Sequence, residues 1–209
     1  MAETYPLTFP SHTGIASVTW NADNRVAISE SPFTYSQQVV KHAGQRWSGT
    51  YTLPVLTRAE ADQWNAFLLR LDGSFGTFLA GDPNAATPRG TASSSAGTPV
   101  VNGASQTGHE LAIDGLPTSE TGYLKAGDYI QLGSGSSAKL HKVLQDVDTN
   151  ASGEATLNIW PDLRSSPSDD ATVAVSSAKG VFRAVSNTTT WNIGSNGLYT
   201  LAFSFVEAL

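Results

Sequence analysis

Few residues in this chain have the types and spacings that do chemistry. His12, His42, His109 and His141 are scattered, without the spacing of metal ligands, and read as surface or structural residues. Asp146, Asp148 and Asn150 imitate the start of a calcium loop, in which alternating oxygens wrap a cation. The sixth position is Ala151 rather than Gly and the twelfth is Leu157 rather than Glu, so a polar turn between strands is expected there. Ser136 and Lys139 have the S-x-x-K spacing of a nucleophile and its base, but Gly-Ser-Gly-Ser-Ser-Ala-Lys reads as a flexible turn rather than a helix start. Asp128 and Asp162 would act as acid and base only if the fold paired them, and nothing in the sequence favours that pairing. No G-x-S-x-G, phosphate loop or H-E-x-x-H occurs, and the chain has no cysteine to serve as nucleophile, zinc ligand or disulfide partner. We therefore expect no enzyme, and assign no catalytic, cofactor-binding or metal-binding residue. Trp20, Trp47, Trp64, Trp160 and Trp191 could line a sugar-binding face, but core or subunit-interface roles are expected of them.

The elements that position these residues are clearest between Gln45 and Pro83. Residues 46–53 alternate Trp47, Gly49 and Tyr51 on one side, as a strand does. Thr57 and Glu60 form a capping box. Ala61, Trp64, Leu68 and Leu71 then make one apolar stripe at helical spacing, so a helix is expected over 57–71, with Gly73 as its C′ glycine. It is the one convincing helix in the sequence. Leu198–Val206 reads as a long strand with Leu201, Phe203 and Phe205 on one face.

Composition agrees with a mainly β protein. The 209 residues include 19 Gly and 10 Pro, and only 14% are charged, which suits many short strands and turns. A net charge of −6 argues against a general nucleic-acid binder. No signal peptide and no membrane-length apolar run is read. Residues 84–108 are poor in large apolar side chains and read as a linker or long loop. Residues 110–116, 128–133, 138–147, 154–160 and 171–175 read as short strands, and aromatic text resumes after Lys179. The expected organisation is a terminal domain, 1–84 with 180–209, interrupted by an inserted β barrel or sandwich domain, 85–179. The insert carries ten acidic and six basic side chains, net −4, so neither part is a basic patch. Residues 35–40, 46–53 and 198–206 are expected to supply the inter-subunit sheet edges and packing surface.

Trp47, Gly49, Leu53, Pro54, Leu56, Arg58 to Ala61, Trp64, Phe67, Leu71, Gly73, Gly76 to Leu79 and Gly81 to Pro83 together resemble the N-terminal region of distal tail proteins of long-tailed bacteriophages (siphophages). Residues 122–133, 140–143, 155–164 and 180–183 also fit phage tail sequences, so the likeness covers most of 35–209. The resemblance implies a β-sandwich-like ring-forming domain with one helix, plus a second β domain projecting outward. It implies a virion structural protein made in the host cytoplasm, without enzymatic activity or cofactor. Such a protein forms a homo-oligomeric ring, sixfold by resemblance. The ring joins the tail tube protein to the tail hub, tape-measure and other tail-tip and receptor-binding parts of the baseplate. No membrane contact is implied, and DNA only passes through the lumen. The alternatives are another tail ring component (tube or terminator), which would not need the insert, or a carbohydrate-binding β module with exposed coplanar aromatics. A glycan hydrolase fragment comes last.

Overall fold

A computed structural model describes residues 3–11 and 14–209 and is mainly β. Two long strands open it, β1 (Ser17–Glu30) and β2 (Gln37–Thr52), followed by the helix α1 (Arg58–Arg70) and β3 (Phe78–Ala80). Six strands follow: β4 (Val100–Val101), β5 (Gly108–Asp114), β6 (Tyr129–Leu132), β7 (Lys139–Val143), β8 (Ala155–Leu163) and β9 (Val173–Ala174). The chain closes with β10 (Gly180–Ala184), β11 (Trp191–Ile193) and β12 (Tyr199–Glu207). One sheet runs β1-β2-β12-β10-β3, with β11 also on β12, and the other runs β4-β5-β8-β7-β6-β9. Strands before Pro83 and after Lys179 thus pair with one another, and those between pair among themselves.

The helix forms where local signals place it. Thr57 is its N-cap, and its backbone N–H donates to the Glu60 carboxylate at 2.8 Å. Ala61, Trp64, Leu68 and Leu71 are all buried against the first sheet, where Trp64 meets Phe203 at 6.0 Å between ring centroids. The C-terminus differs from expectation by one residue. Leu71 is the C-cap, so the left-handed C′ position is held by Asp72 (φ 51), and Gly73 (φ 67) comes after it. Glycine is still required there. A Cβ on Gly73 would lie 2.9 Å from the Asn187 backbone, in addition to the strain of positive φ.

The second sheet is nearly closed into a barrel. Val100 bridges Thr172, and the Val101 and Val173 amides donate to the Ala171 and Pro99 carbonyls, which draws β4 to β9. Leu111, Ile113, Ile130, Val143, Leu157 and Ile159 fill its interior. The opposite sides of β6, β7 and β8 are also covered: Tyr129, Leu140 and Trp160 pack against the first sheet's core around Trp47. Tyr129 on β6 and Leu140 on β7 are therefore buried on the face opposite the barrel interior, while on β8 that face is half-buried at Trp160 and exposed at Thr156.

Several readings change. Residues 84–108 are not a bare linker: Ala92 and Val101 are buried, and the Thr91 and Ala92 amides donate to the Gly122 and Tyr123 carbonyls. Small side chains suffice because the backbone itself packs and pairs there. Residues 37–40 and 46–52 belong to one continuous strand, while Tyr35 (φ 55) and Ser36 lie in the turn before it and Leu53 just beyond it. The stretch 198–206 is no sheet edge, since β12 pairs β2 on one side and β10 and β11 on the other. Alternation reports a strand's faces, and its neighbours are set by contacts distant in sequence.

Candidate functional site

The feature that stands out for function is the β1–β2 hairpin. Its register runs from Ser17↔Thr52 at the body to Glu30↔Gln37 at the tip. Near the body its inner face is core: Trp47, Gly49 and Tyr51 are buried beneath Trp20 and Phe205. A register shift between Asn24 and Val26 then breaks the ladder, with Arg25 crossing over Gly44. Such a bulge bends the ribbon and increases its twist. Beyond it both faces are open. Cross-strand pairs share a face, so Val26–Lys41 and Ile28–Val39 lie on one side and Ala27–Val40 and Ser29–Gln38 on the other. Ile28 is 64% exposed, Val39 59%, and at the tip Phe33 is 91% and Tyr35 75% exposed. The turn is held by the Ser31 amide donating to the Ser36 carbonyl and the Tyr35 amide to the Ser31 carbonyl.

The arm is pinned at its root by the barrel. Trp160 Nε1 donates to Asn24 Oδ1 at 3.0 Å, the Asp162 amide donates to Gln45 Oε1 at 2.7 Å, and Lys41 pairs with Asp162 at 3.1 Å. Deeper in the seam, Arg164 makes a two-pronged ion pair with buried Glu207 at 2.7 and 2.6 Å and also donates to the Gln45 carbonyl. Trp47 completes the seam, its amide donating to Glu207 and its indole N–H to the Leu140 carbonyl.

An isolated two-stranded ribbon is marginal in water, and an exposed aliphatic edge is a template for pairing. Each large side chain on the arm would gain roughly 1.5–3 kcal/mol on full burial. The arm can therefore act as an association surface. Its free β1 edge supplies backbone donors and acceptors, and its faces supply apolar area. Sequence reasoning marked residues 35–40 but missed β1 and hence the arm. The available signal was Pro32-Phe33-Thr34-Tyr35 between two short aliphatic runs.

The candidate chemical residues are dispersed. His12 lies outside the described residues. His42 and His109 are exposed on β2 and β5, whereas His141 is buried in β7, where burial pushes its pKa down to about 4. Among the described residues no group of three His, Cys, Asp or Glu side chains gathers as a metal would need. Asp146 takes the Ala126 amide and Lys125, which hold its carboxyl below the usual range; Asp148 takes the Gly122 amide; Asn150 closes a turn onto Ser152 and Glu154. The loop oxygens are thus spent on separate partners. Ser136 lies in a short 3-10 turn (Gly135–Ser137) ahead of β7, which starts at Lys139. Asp128 is buried, accepting from the Arg89 and Lys125 amides, while Asp162 belongs to the arm root. Trp47 and Trp64 are core, Trp20 and Trp160 pack edge-on against Trp47, and Trp191 is 38% exposed on β11. No helix among the described residues is long and apolar enough to cross a membrane. No family model matches this chain, and no characterised protein in the comparison matches it.

Proposed function

We propose that this chain is a structural subunit of a siphophage tail tip, which self-associates into a ring through its hairpin arm and the free β1 edge. The observation that carries the reading is the arm: a ribbon with aliphatic side chains open on both faces, pinned rigidly at its root. The resemblance of residues 45–83 to distal tail proteins supplies the context. A ring needs a heterologous contact, in which one surface of a subunit meets a different surface of the next. An arm projecting from one side of the sheet suits that geometry. The ring would join the tail tube to the hub, tape-measure and receptor-binding parts, with DNA passing through its lumen. The sheet face opposite the helix carries Ser48, Thr50, Ser204 and, on β1, Thr19 and Asn21, with Asp23 paired to Arg46 and Arg183 on the same face, a hydroxyl-rich surface of low net charge.

Electron microscopy and native mass spectrometry of the purified chain, alone and with its tail-tube partner, test the reading. Rings with a central hole that vanish when residues 26–41 are replaced by a short turn support it. A monomer in both settings, or rings unaffected by loss of the arm, overturns it.

A further inference from the structure

The first sheet has two open edges whose chemistry matches. β1 borders it on one side. Across β12, β11 has no further strand beside it among the described residues, and Trp191, Asn192 and Ile193 are all exposed. Opposed residues in an antiparallel ladder alternate between exchanging hydrogen bonds and not, so the turn beside each edge sets its phase. The Gly194 amide donates to the Leu198 carbonyl, so Asn192 bonds inward to Thr200, and the backbone N–H and C=O groups of Trp191 and Ile193 point outward. The Ser31 amide donates to the Ser36 carbonyl, so Ser29 and Ala27 bond inward to Gln38 and Val40, and the backbone groups of Val26 and Ile28 point outward. On each edge, the residues with outward backbone also carry the exposed apolar side chains. Residues 26–29 and 185–198 contain no lysine or proline, the residues that commonly block strand addition. The arm's other edge, on β2, is guarded: Lys41 lies on it and pairs with Asp162.

We propose that the arm of one subunit adds as an antiparallel strand to β11 of the next copy of this chain, with Ile28 opposite Trp191 and Val26 opposite Ile193. This names the surface that receives the arm, and it rests on the reading of the arm as the ring contact. In this register the outward backbone groups of all four residues find partners. Their apolar side chains share one face, and Ala27 meets Asn192. Residues 185–198 carry no charge, so Arg25 and Glu30 at the ends of the added segment meet no like charge. A three-residue edge alone is small for a stable contact. The same register supplies the rest. Moving along β1 from Val26 to Glu30 runs back along the next copy from Ile193 to Thr189, which carries the arm tip to residues 185–190. There β10 has ended and β11 has not begun, and a cavity of about 380 Å³ opens, lined by Val185, Ser186, Thr188, Thr190 and Phe203. Its walls are apolar and hydroxyl-bearing, without a charged group. Phe33, the most exposed large apolar side chain among the described residues, seats in it.

The chain has no native cysteine, so disulfide mapping reads this contact directly. Ala27 and Asn192 would oppose each other as a non-hydrogen-bonded pair, whose close Cα spacing a disulfide can span. Full chains carrying Ala27→Cys or Asn192→Cys are mixed, assembled and oxidised with copper phenanthroline, and mass spectrometry of the digest identifies the bridged peptides. We expect bridges between positions 27 and 192 to dominate over bridges between two copies of either position. Ile193→Pro removes an outward N–H that β12 does not use, and should abolish rings while leaving Tm unchanged. Phe33→Ala should raise the concentration needed for half-assembly at least about tenfold. Rings that depend on the arm but lack the 27-to-192 bridge, or that survive Ile193→Pro, overturn the β11 assignment and leave the arm reading standing. Dominant bridges between two copies of position 27 overturn it in favour of paired arms in a closed dimer. A chain that stays monomeric, alone and with its tail-tube partner, overturns both readings.

Discussion

Trp47 and Glu207 show how a few polar contacts can govern a largely apolar seam. Trp47 sends its ring into the aromatic cluster and its two N–H groups to Glu207 and Leu140. Glu207 is buried and receives both prongs of Arg164. Removing one partner of such a pair leaves the other charge stranded. Glu207→Gln should therefore cost about 3 kcal/mol in urea denaturation, and adding Arg164→Met to it should recover part of that loss. His141 supplies a pH signature. Its folded pKa, lowered by burial from 6.5 to about 4, means that the unfolded chain binds the extra proton between those values. Stability is full above about pH 6.5 and falls as pH drops towards 4, at up to about 1.4 kcal/mol per pH unit. Denaturation of the wild type and of His141→Gln across this window checks it: the slope should be shallower in the variant.

Among the elements, the helix and the arm have opposite energetics. The α1 stripe is buried throughout, and Trp64 sits among Phe9, Phe67 and Phe203. Trp64→Ala should cost about 3–5 kcal/mol. Thr57→Ala, which removes the N-cap, should cost about 1 kcal/mol. Thermal or denaturant melts measure both, and an unchanged midpoint for Trp64→Ala would show that the stripe does not hold the sheet. The outer arm buries almost nothing within the protomer. Ile28→Ser combined with Val39→Ser should change unfolding by no more than about 0.5 kcal/mol. The same pair should abolish assembly, as read by native mass spectrometry.

For the whole molecule, the two sheets are separate in their hydrogen bonding and joined in their packing. Residues 85–179 form their own nearly closed barrel. Yet Tyr129 and Leu140 belong to the first sheet's core, and Arg164 neutralises Glu207. Replacing 85–179 by a Gly/Ser linker would expose Trp47 and strand Glu207. We expect the remainder to fold stably only when Trp47 and Glu207 are also changed to polar neutral residues. Circular dichroism melts of the linker chain with and without those changes decide it, and two identical transitions would show that the seam contributes nothing.

The sequence by itself determined the elements whose causes are local. Capping box, apolar stripe and a nearby glycine sufficed for α1, because helix hydrogen bonds and i, i+4 contacts lie within a few residues. The alternation of Leu201, Phe203 and Phe205 likewise sufficed for the inner face of β12. The rest was settled by contacts far apart in the chain. Alternation could not say that β12 is interior to its sheet, or that β6 and β7 bury Tyr129 and Leu140 on the face opposite the barrel interior. It could not say that the aliphatic pairs beyond Arg25 face water while similar pairs near Trp47 face a core. His141 reads as an ordinary histidine until Pro161 and the barrel wall enclose it. Period-2 patterning tells which side chains share a face, but only tertiary structure decides what, if anything, covers that face.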